Sequence, residues 1–203
     1  EVLEAASAPH HSSPDLYPGT CRDMSDATRA AHEASGRPFA LRLRADRLDV
    51  EFTDERLGSV RGVVDDVVIQ RNDGVPAYNL AVVVDDAAQN VDLVVRGDDL
   101  VSSTPSQIAI ARFLDLPVPR YAHIPLMLGP SGARLAKRDG AVTLADRQTM
   151  GDTVAKVVGF LAGSIGLGYD PTTAHELVDR FDPSQLSTEP FAMTEEQIRR
   201  PLP

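Results

Sequence analysis

The chain has 203 residues, enough to bury a core, and its 25% charged and 42% hydrophobic residues are the balance of an ordinary globular protein. No apolar run approaches the roughly 18 residues that a membrane helix needs, and no secretory signal opens the sequence, so a membrane protein is not expected. A net charge of −10 speaks against nonspecific binding to DNA or other polyanions, while a local basic patch would still serve an RNA contact. The single cysteine, Cys21, allows no internal disulfide and fits a reducing, cytoplasmic setting. Glu1 is not an initiator methionine and the chain starts as though inside an element, so a fragment is expected.

In chain order, residues 1–24 are polar, with Pro9, His10, His11, Ser12, Ser13 and Pro14 marking a loop. Ser25 or Asp26 caps a helix that runs to about Ser35. Phe39 to Arg44 alternates apolar and charged residues as a half-buried strand does, and Val50–Phe52 and Val60–Val63 read as further short strands. Val67–Ile69 and Val91–Val95 are β-branched runs suited to buried strands, and Tyr78 to Ala88 between them reads as a helix. Thr104-Pro105 is an N-cap followed by proline at the first helical position, opening a helix from Ser106 to Leu114 with Ile108, Ile110, Ala111 and Leu114 near one face. A proline-rich linker, Leu116 to Pro119, then leads to a strand from His123 to Leu128.

Strand, helix and strand in this order imply a parallel crossover and an α/β sheet. Beyond it, Asp152 to Ile165 predicts a helix with an apolar face of Val154, Val157, Val158, Leu161 and Ile165. Thr172 or Thr173 caps a last helix from Ala174 to Phe181, so the C-terminal third is expected to be helix and loop only.

Leu128 to Gly140 is a glycine-rich loop carrying Arg134, Lys137 and Arg138 directly after a strand, the place where α/β proteins hold phosphate. Lys137 there suits a triphosphate; on composition alone it is equally a solvated surface lysine. Arg96 follows a strand and could grip a carboxylate with two hydrogen bonds, or else pair with Asp98 or Asp99. Tyr78 sits where a turn enters a helix, with a hydroxyl for a ligand or simply a half-buried ring. Tyr17 and Cys21 are too few for tetrahedral zinc, and a structural turn with an inert thiol explains them as well. His123 is as well suited to the core as to catalysis.

Together these segments resemble the class I glutamyl-tRNA synthetase catalytic core. Asp73 to Asp86 is similar to that family's substrate-pocket signature, Val94 to Leu100 to its next strand and turn, and Arg134-Leu-Ala-Lys-Arg138 to its second signature loop, Lys-Met-Ser-Lys-Ser. The resemblance implies that Tyr78 and Arg96 contact L-glutamate and that Arg134, Lys137 and Arg138 bind ATP with magnesium. Lys137 would be the catalytic group, stabilising charge at the α-phosphate. Tyr17 and Cys21 look like the end of a structural zinc-binding insertion, Tyr-x-x-x-Cys, whose two other cysteines would fall before Glu1. That insertion, and the short stretch after Arg138, is similar to the compact glutamyl-Q tRNA(Asp) branch, which places glutamate on the queuosine base of tRNA(Asp).

The implied fold is the second half of a Rossmann-like catalytic domain. Residues 1–38 would be a partial insertion, 39–141 the catalytic α/β part and 142–203 a helical appendage. Arg134 and Ala136 depart from the signature loop, keeping charge and losing a hydroxyl. The His-x-Gly-His signature is absent, which implies that half the ATP site is missing and that this fragment alone is inactive. The alternatives are a fragment of an ordinary glutamyl-tRNA synthetase that charges the tRNA 3′ end, and a noncatalytic RNA-binding paralogue.

Overall fold

The computed structural model describes residues 17–135, 143–179, 181–182 and 185–202. They divide into two compact units. One comprises the described residues up to Val95 together with Asp99–Ala122; the other comprises Arg96–Asp98 and the described residues from His123 onward. Among the described residues no helix is long and apolar enough to cross a membrane.

In the first unit, helix α1 (Asp26–Ala34) starts where expected, with the Ser25 hydroxyl accepting from the Thr28 N–H at 3.2 Å, and it buries no residue. Strand β1 (Leu41–Leu43) is shorter than the alternating pattern suggests; it pairs antiparallel with β4 (Val67–Gln70) across an irregularity at Leu41/Arg42. Strands β2 (Leu48–Asp54) and β3 (Gly58–Val64) form an antiparallel hairpin with Asp54 opposite Gly58. Asp54 is buried, and its Oδ1 closes the turn by accepting from the N–H groups of Arg56 and Leu57 at 3.0 and 2.9 Å. These strands join β5 (Leu93–Gly97) and β6 (Arg120–Ile124) in one sheet of order β3-β2-β6-β5, in which β2 and β6 run parallel.

Helix α2 (Tyr78–Ala88) has the bounds expected from sequence. Helix α3 (Thr104–Phe113) does not begin at a Thr104 cap: a 3₁₀ turn, Asp98–Ser103, runs straight into it, so Thr104 is already helical and Ser103 caps without a side-chain bond. Its burial also differs from a one-faced helix. Ile108 and Ala109 pack with Val50, Val64 and Tyr121, while Ile110 and Ala111 pack with Val83, Val67 and Ile69. Leu114, expected on the buried face, is 47% exposed. A helix with apolar clusters on two sides has no solvent stripe over that stretch, and the periodicity argument for one face does not apply to it. The approach is close: a Cβ on Gly62 of β3 would lie 2.6 Å from Pro105 Cγ.

The second unit corrects several expectations. The strand foreseen from His123 to Leu128 is two, β6 ending at Ile124 and β7 (Met127–Leu128), because Pro125 has no N–H to continue a ladder. The C-terminal third is not only helix and loop, since β7 pairs parallel with β8 (Phe191–Ala192). In α5 (Val154–Ser164), capped by Thr153, the buried residues are Gly159, Phe160, Ala162, Gly163 and Ser164, whereas Val154 is 80% and Leu161 46% exposed. The two glycines decide this. A Cβ on Gly159 would meet the Asp170 carbonyl oxygen at 2.3 Å, and one on Gly163 the Tyr169 ring at 2.2 Å, so the chain after α5 lies on the glycine face.

Helix α4 (Leu144–Thr149) opens on a Thr143–Asp146 capping box, and α6 (Ala174–Val178) on one made by Thr173 and Glu176, ending before the expected Phe181. After β8, α7 (Glu195–Arg199) leads into a buried clamp. Arg147 of α4 donates to the carbonyls of Gln197 at 2.9 Å and Arg200 at 3.0 Å and pairs with Asp152, whose Oδ1 accepts from the Leu202 N–H at 2.8 Å. Both charged side chains are buried, so each depends on the other for compensation. Asp152→Ala therefore destabilises the protein by about 3–5 kcal/mol, read from denaturant unfolding. A loss below about 1 kcal/mol, the size of a surface ion pair, would contradict the clamp.

Candidate active site

Tyr78 is the first residue of α2, and the turn before it is closely specified. Val75 N–H donates to Asp73 Oδ1 at 3.2 Å, Arg71 N–H to the Val75 carbonyl at 2.8 Å, and Ala77 N–H to the Ile69 carbonyl at 2.9 Å. Gly74 takes φ +83°, a conformation that costs glycine little and a side chain more. Tyr78 is 46% exposed. The next residue, Asn79, accepts through Oδ1 from Gln107 Nε2 at 3.0 Å. Gln107 is buried in α3 and holds the first turn of α2 in place. It was not singled out from sequence; its signal was a polar residue on an otherwise apolar helix face.

Arg96, in the second unit, is the fourth residue of β5 and is half-buried. Its Nε donates to Nε2 of His123 at 3.1 Å. His123 on β6 has no exposed surface and shares the inward face of that strand with Tyr121. The Nε–H of arginine is a donor, so the imidazole accepts this bond through Nε2. The strand alternation placed His123 inward; its pairing with Arg96, 27 positions away, left no local signal.

The signature loop begins as a tight hairpin in the same unit. Leu128 bridges Arg134 antiparallel, Gly129 N–H donates to the Ala133 carbonyl at 2.8 Å, and Gly132 turns the chain at φ +76°. Leu135 N–H donates to the Met127 carbonyl at 3.1 Å, and the Leu135 side chain packs against the cluster of Phe160, Met193 and Leu202. Arg134 stands exposed on the hairpin. Lys137 and Arg138 lie outside the described residues.

Tyr17 and Cys21 are brought together by one turn of the first unit, the Cys21 N–H donating to the Tyr17 hydroxyl at 2.8 Å. The Tyr17 ring lies under the Arg42 guanidinium, 4.2 Å from centroid to Cζ, and its N–H donates to Asp65 Oδ2 at 2.5 Å. Arg22 pairs with Asp46 and, at 2.5 Å, with buried Asp66. Burial first, and then the hydrogen bond and charge of the Cys21 thiol, push the Tyr17 phenol above the ordinary tyrosine range, against the Cys21 N–H and Arg42. The thiol is exposed. Among the described residues no group of three or more His, Cys, Asp and Glu side chains is gathered for a metal.

Comparison with known proteins identifies relatives of this chain. A glutamyl-Q tRNA(Asp) synthetase of Nocardia farcinica is 57% identical over 201 residues, covering 99% of this chain and 64% of that protein. One from Symbiobacterium thermophilum is 45% identical, with 98% and 64% covered. A glutamate–tRNA ligase of Pelobacter propionicus is 34% identical over 90% of this chain and 39% of its own length. The chain thus spans less than two thirds of the length of these curated relatives.

The fold is similar to the crystal structure of a glutamate tRNA ligase from Elizabethkingia meningosepticum, with a TM-score of 0.72 at 19% identity, over 90% of this chain and 42% of that one. The family model described as tRNA synthetases class I (E and Q), catalytic domain, matches residues 3–198. The chain belongs to that family, and its α/β architecture is that of the class I catalytic domain.

Proposed function

We propose that the intact protein activates L-glutamate with ATP and transfers it to the queuosine base of tRNA(Asp). The observation that carries this is Arg96: a guanidinium near the end of a β-strand, half-buried and hydrogen-bonded to a buried imidazole, suits a carboxylate. The choice of acceptor rests on the relatives, of which those named glutamyl-Q tRNA(Asp) synthetase are matched over a larger share of their length than the glutamate–tRNA ligases.

In the proposed reaction a carboxylate oxygen of glutamate attacks the α-phosphorus of ATP. The bond from that phosphorus to the bridging oxygen breaks, giving glutamyl-adenylate and pyrophosphate. Arg96 holds and orients the amino acid, and the Tyr78 hydroxyl hydrogen-bonds it. Arg134, Lys137 and Arg138 meet the phosphates, with Lys137 set against the charge that grows on the α-phosphate oxygens. Magnesium, when bound with ATP, neutralises part of the triphosphate charge. No side chain serves as nucleophile, so the rate enhancement comes from positioning and charge. The reaction takes place in the cytoplasm.

The intact protein exchanges pyrophosphate into ATP with L-glutamate and without tRNA. It then glutamylates a queuosine-containing tRNA(Asp) whose 3′-terminal adenosine has been removed. Exchange that needs tRNA, or transfer that needs the 3′ adenosine, would instead favour ordinary charging of the tRNA end. Absence of exchange under both conditions would favour a noncatalytic RNA-binding paralogue.

Tyr17 and Cys21 are proposed as two of the ligands of a structural zinc. Metal analysis of the intact protein is expected to give one zinc per chain, lost in Cys21→Ala. Full metal content in that variant would remove Cys21 from the site.

A further inference from the structure

The geometry points to residues 191–202 as a strap that fastens both ends of the signature loop, with Arg147 and Asp152 as the positioning pair that locks it. This rests on the ATP-binding role proposed above for that loop. Leu135 and Thr143 are the described residues on either side of Lys137 and Arg138. Both are tied, through separate contacts, to the same short stretch of chain, and every residue involved lies in the second unit.

On the Leu135 side the strap is a strand. β8 pairs with β7, Phe191 N–H donating to the Leu126 carbonyl at 3.2 Å and Met193 N–H to that of Leu128 at 2.9 Å. Leu135 closes the hairpin onto β7 through its bond to Met127, and its side chain packs against the cluster that holds Met193 and Leu202. On the Thr143 side the strap is a helix end. Helix α7 has five residues, and its last carbonyls have no partners within the helix. Arg147 supplies the donors, Nη1 to the Gln197 carbonyl at 2.9 Å and Nη2 to that of Arg200 at 3.0 Å. Arg147 N–H in turn donates to the Thr143 carbonyl at 3.0 Å within α4, where the capping box fixes Thr143.

Leu202 joins the two sides. Its N–H donates to Asp152 at 2.8 Å and its carbonyl accepts from Lys156 Nζ at 3.3 Å, while its side chain belongs to the cluster that receives Leu135. Burying Arg147 and Asp152 is costly, and apolar packing could hold a chain end without that cost. What the ion pair adds is direction, because its bonds set where residues 197–202 stand relative to α4. A loop that meets phosphate must hold its cations to within about 0.5 Å, so a fixed distance between its two ends contributes to binding ATP and not to binding glutamate.

The test is ATP–pyrophosphate exchange by the intact protein carrying Arg147→Met together with Asp152→Asn, which removes both buried charges and leaves neither unpaired. The KM for ATP is expected to rise roughly tenfold while the KM for glutamate stays within about twofold. Thr173→Ala, which uncaps α6 in the same unit without removing a strap contact, controls for simple loss of stability and is expected to leave both KM values within about twofold. Equal changes in both KM values in the double variant, or a matching rise in the KM for ATP in Thr173→Ala, would overturn the inference.

Hydrogen exchange of the unsubstituted protein in increasing denaturant gives a second readout that needs neither a variant nor activity. The amides of Leu135, Arg147, Met193 and Leu202 are expected to open as one cooperative unit. A Leu135 amide that opens well before those of Arg147 and Leu202 would overturn the strap. An intact protein that shows no glutamate-dependent pyrophosphate exchange would refute the proposed function, while the amide measurement would still decide whether residues 191–202 join the two ends of the loop.

Discussion

Helix α3 is buried from Thr104 to Ala111 between an apolar cluster shared with β2, β3 and β6 and another shared with α2 and β4, and the placement of the first turn of α2, where Tyr78 stands, depends on that burial. It connects β5 to β6, the strands that carry Arg96 and His123, and its Gln107 holds Asn79 beside Tyr78. The approach of α3 to the hairpin is possible because Gly62 has no Cβ to meet the Pro105 ring. Close packing of this kind tolerates little displacement.

Past β6 the chain is held by a different kind of interaction. Arg147 and Asp152 bury opposite charges and use them on the backbone of residues 197–202, while Gly159 and Gly163 let the chain after α5 lie against the helix. Buried charge of this sort is weak as a source of net stability and demanding in geometry. Its position matters here because α4, which carries Arg147, is the first helix among the described residues that follow the signature loop. The hairpin at Gly129–Gly132 begins that loop and the Thr143–Asp146 capping box follows it.

How much of this was legible in the sequence depended on how local the cause was. Helix α2 could be bounded to the residue because a glycine-proline turn stands directly before it, and α1 because Ser25 is a good cap. The face of α5 was misassigned because valines were counted and glycines were not, although the close approach to Tyr169 and Asp170 depends on the glycines. Pro125 marked the break between β6 and β7, but the continuous apolar run around it outweighed a single residue. Arg96 was recognisable from its place at a strand end. His123, an inward histidine on a neighbouring strand, could not be given a partner, because that pairing depends on how two strands far apart in sequence come together.

The central claim is that Arg96 receives the carboxylate of glutamate. The most direct test is the steady-state exchange kinetics of Arg96→Ala in the intact protein, with glutamate and ATP varied separately. Loss of a charge-assisted pair predicts a fall in kcat/KM for glutamate of roughly 10- to 150-fold, with the KM for ATP little changed. Equal losses for both substrates would make Arg96 a structural residue and contradict the account.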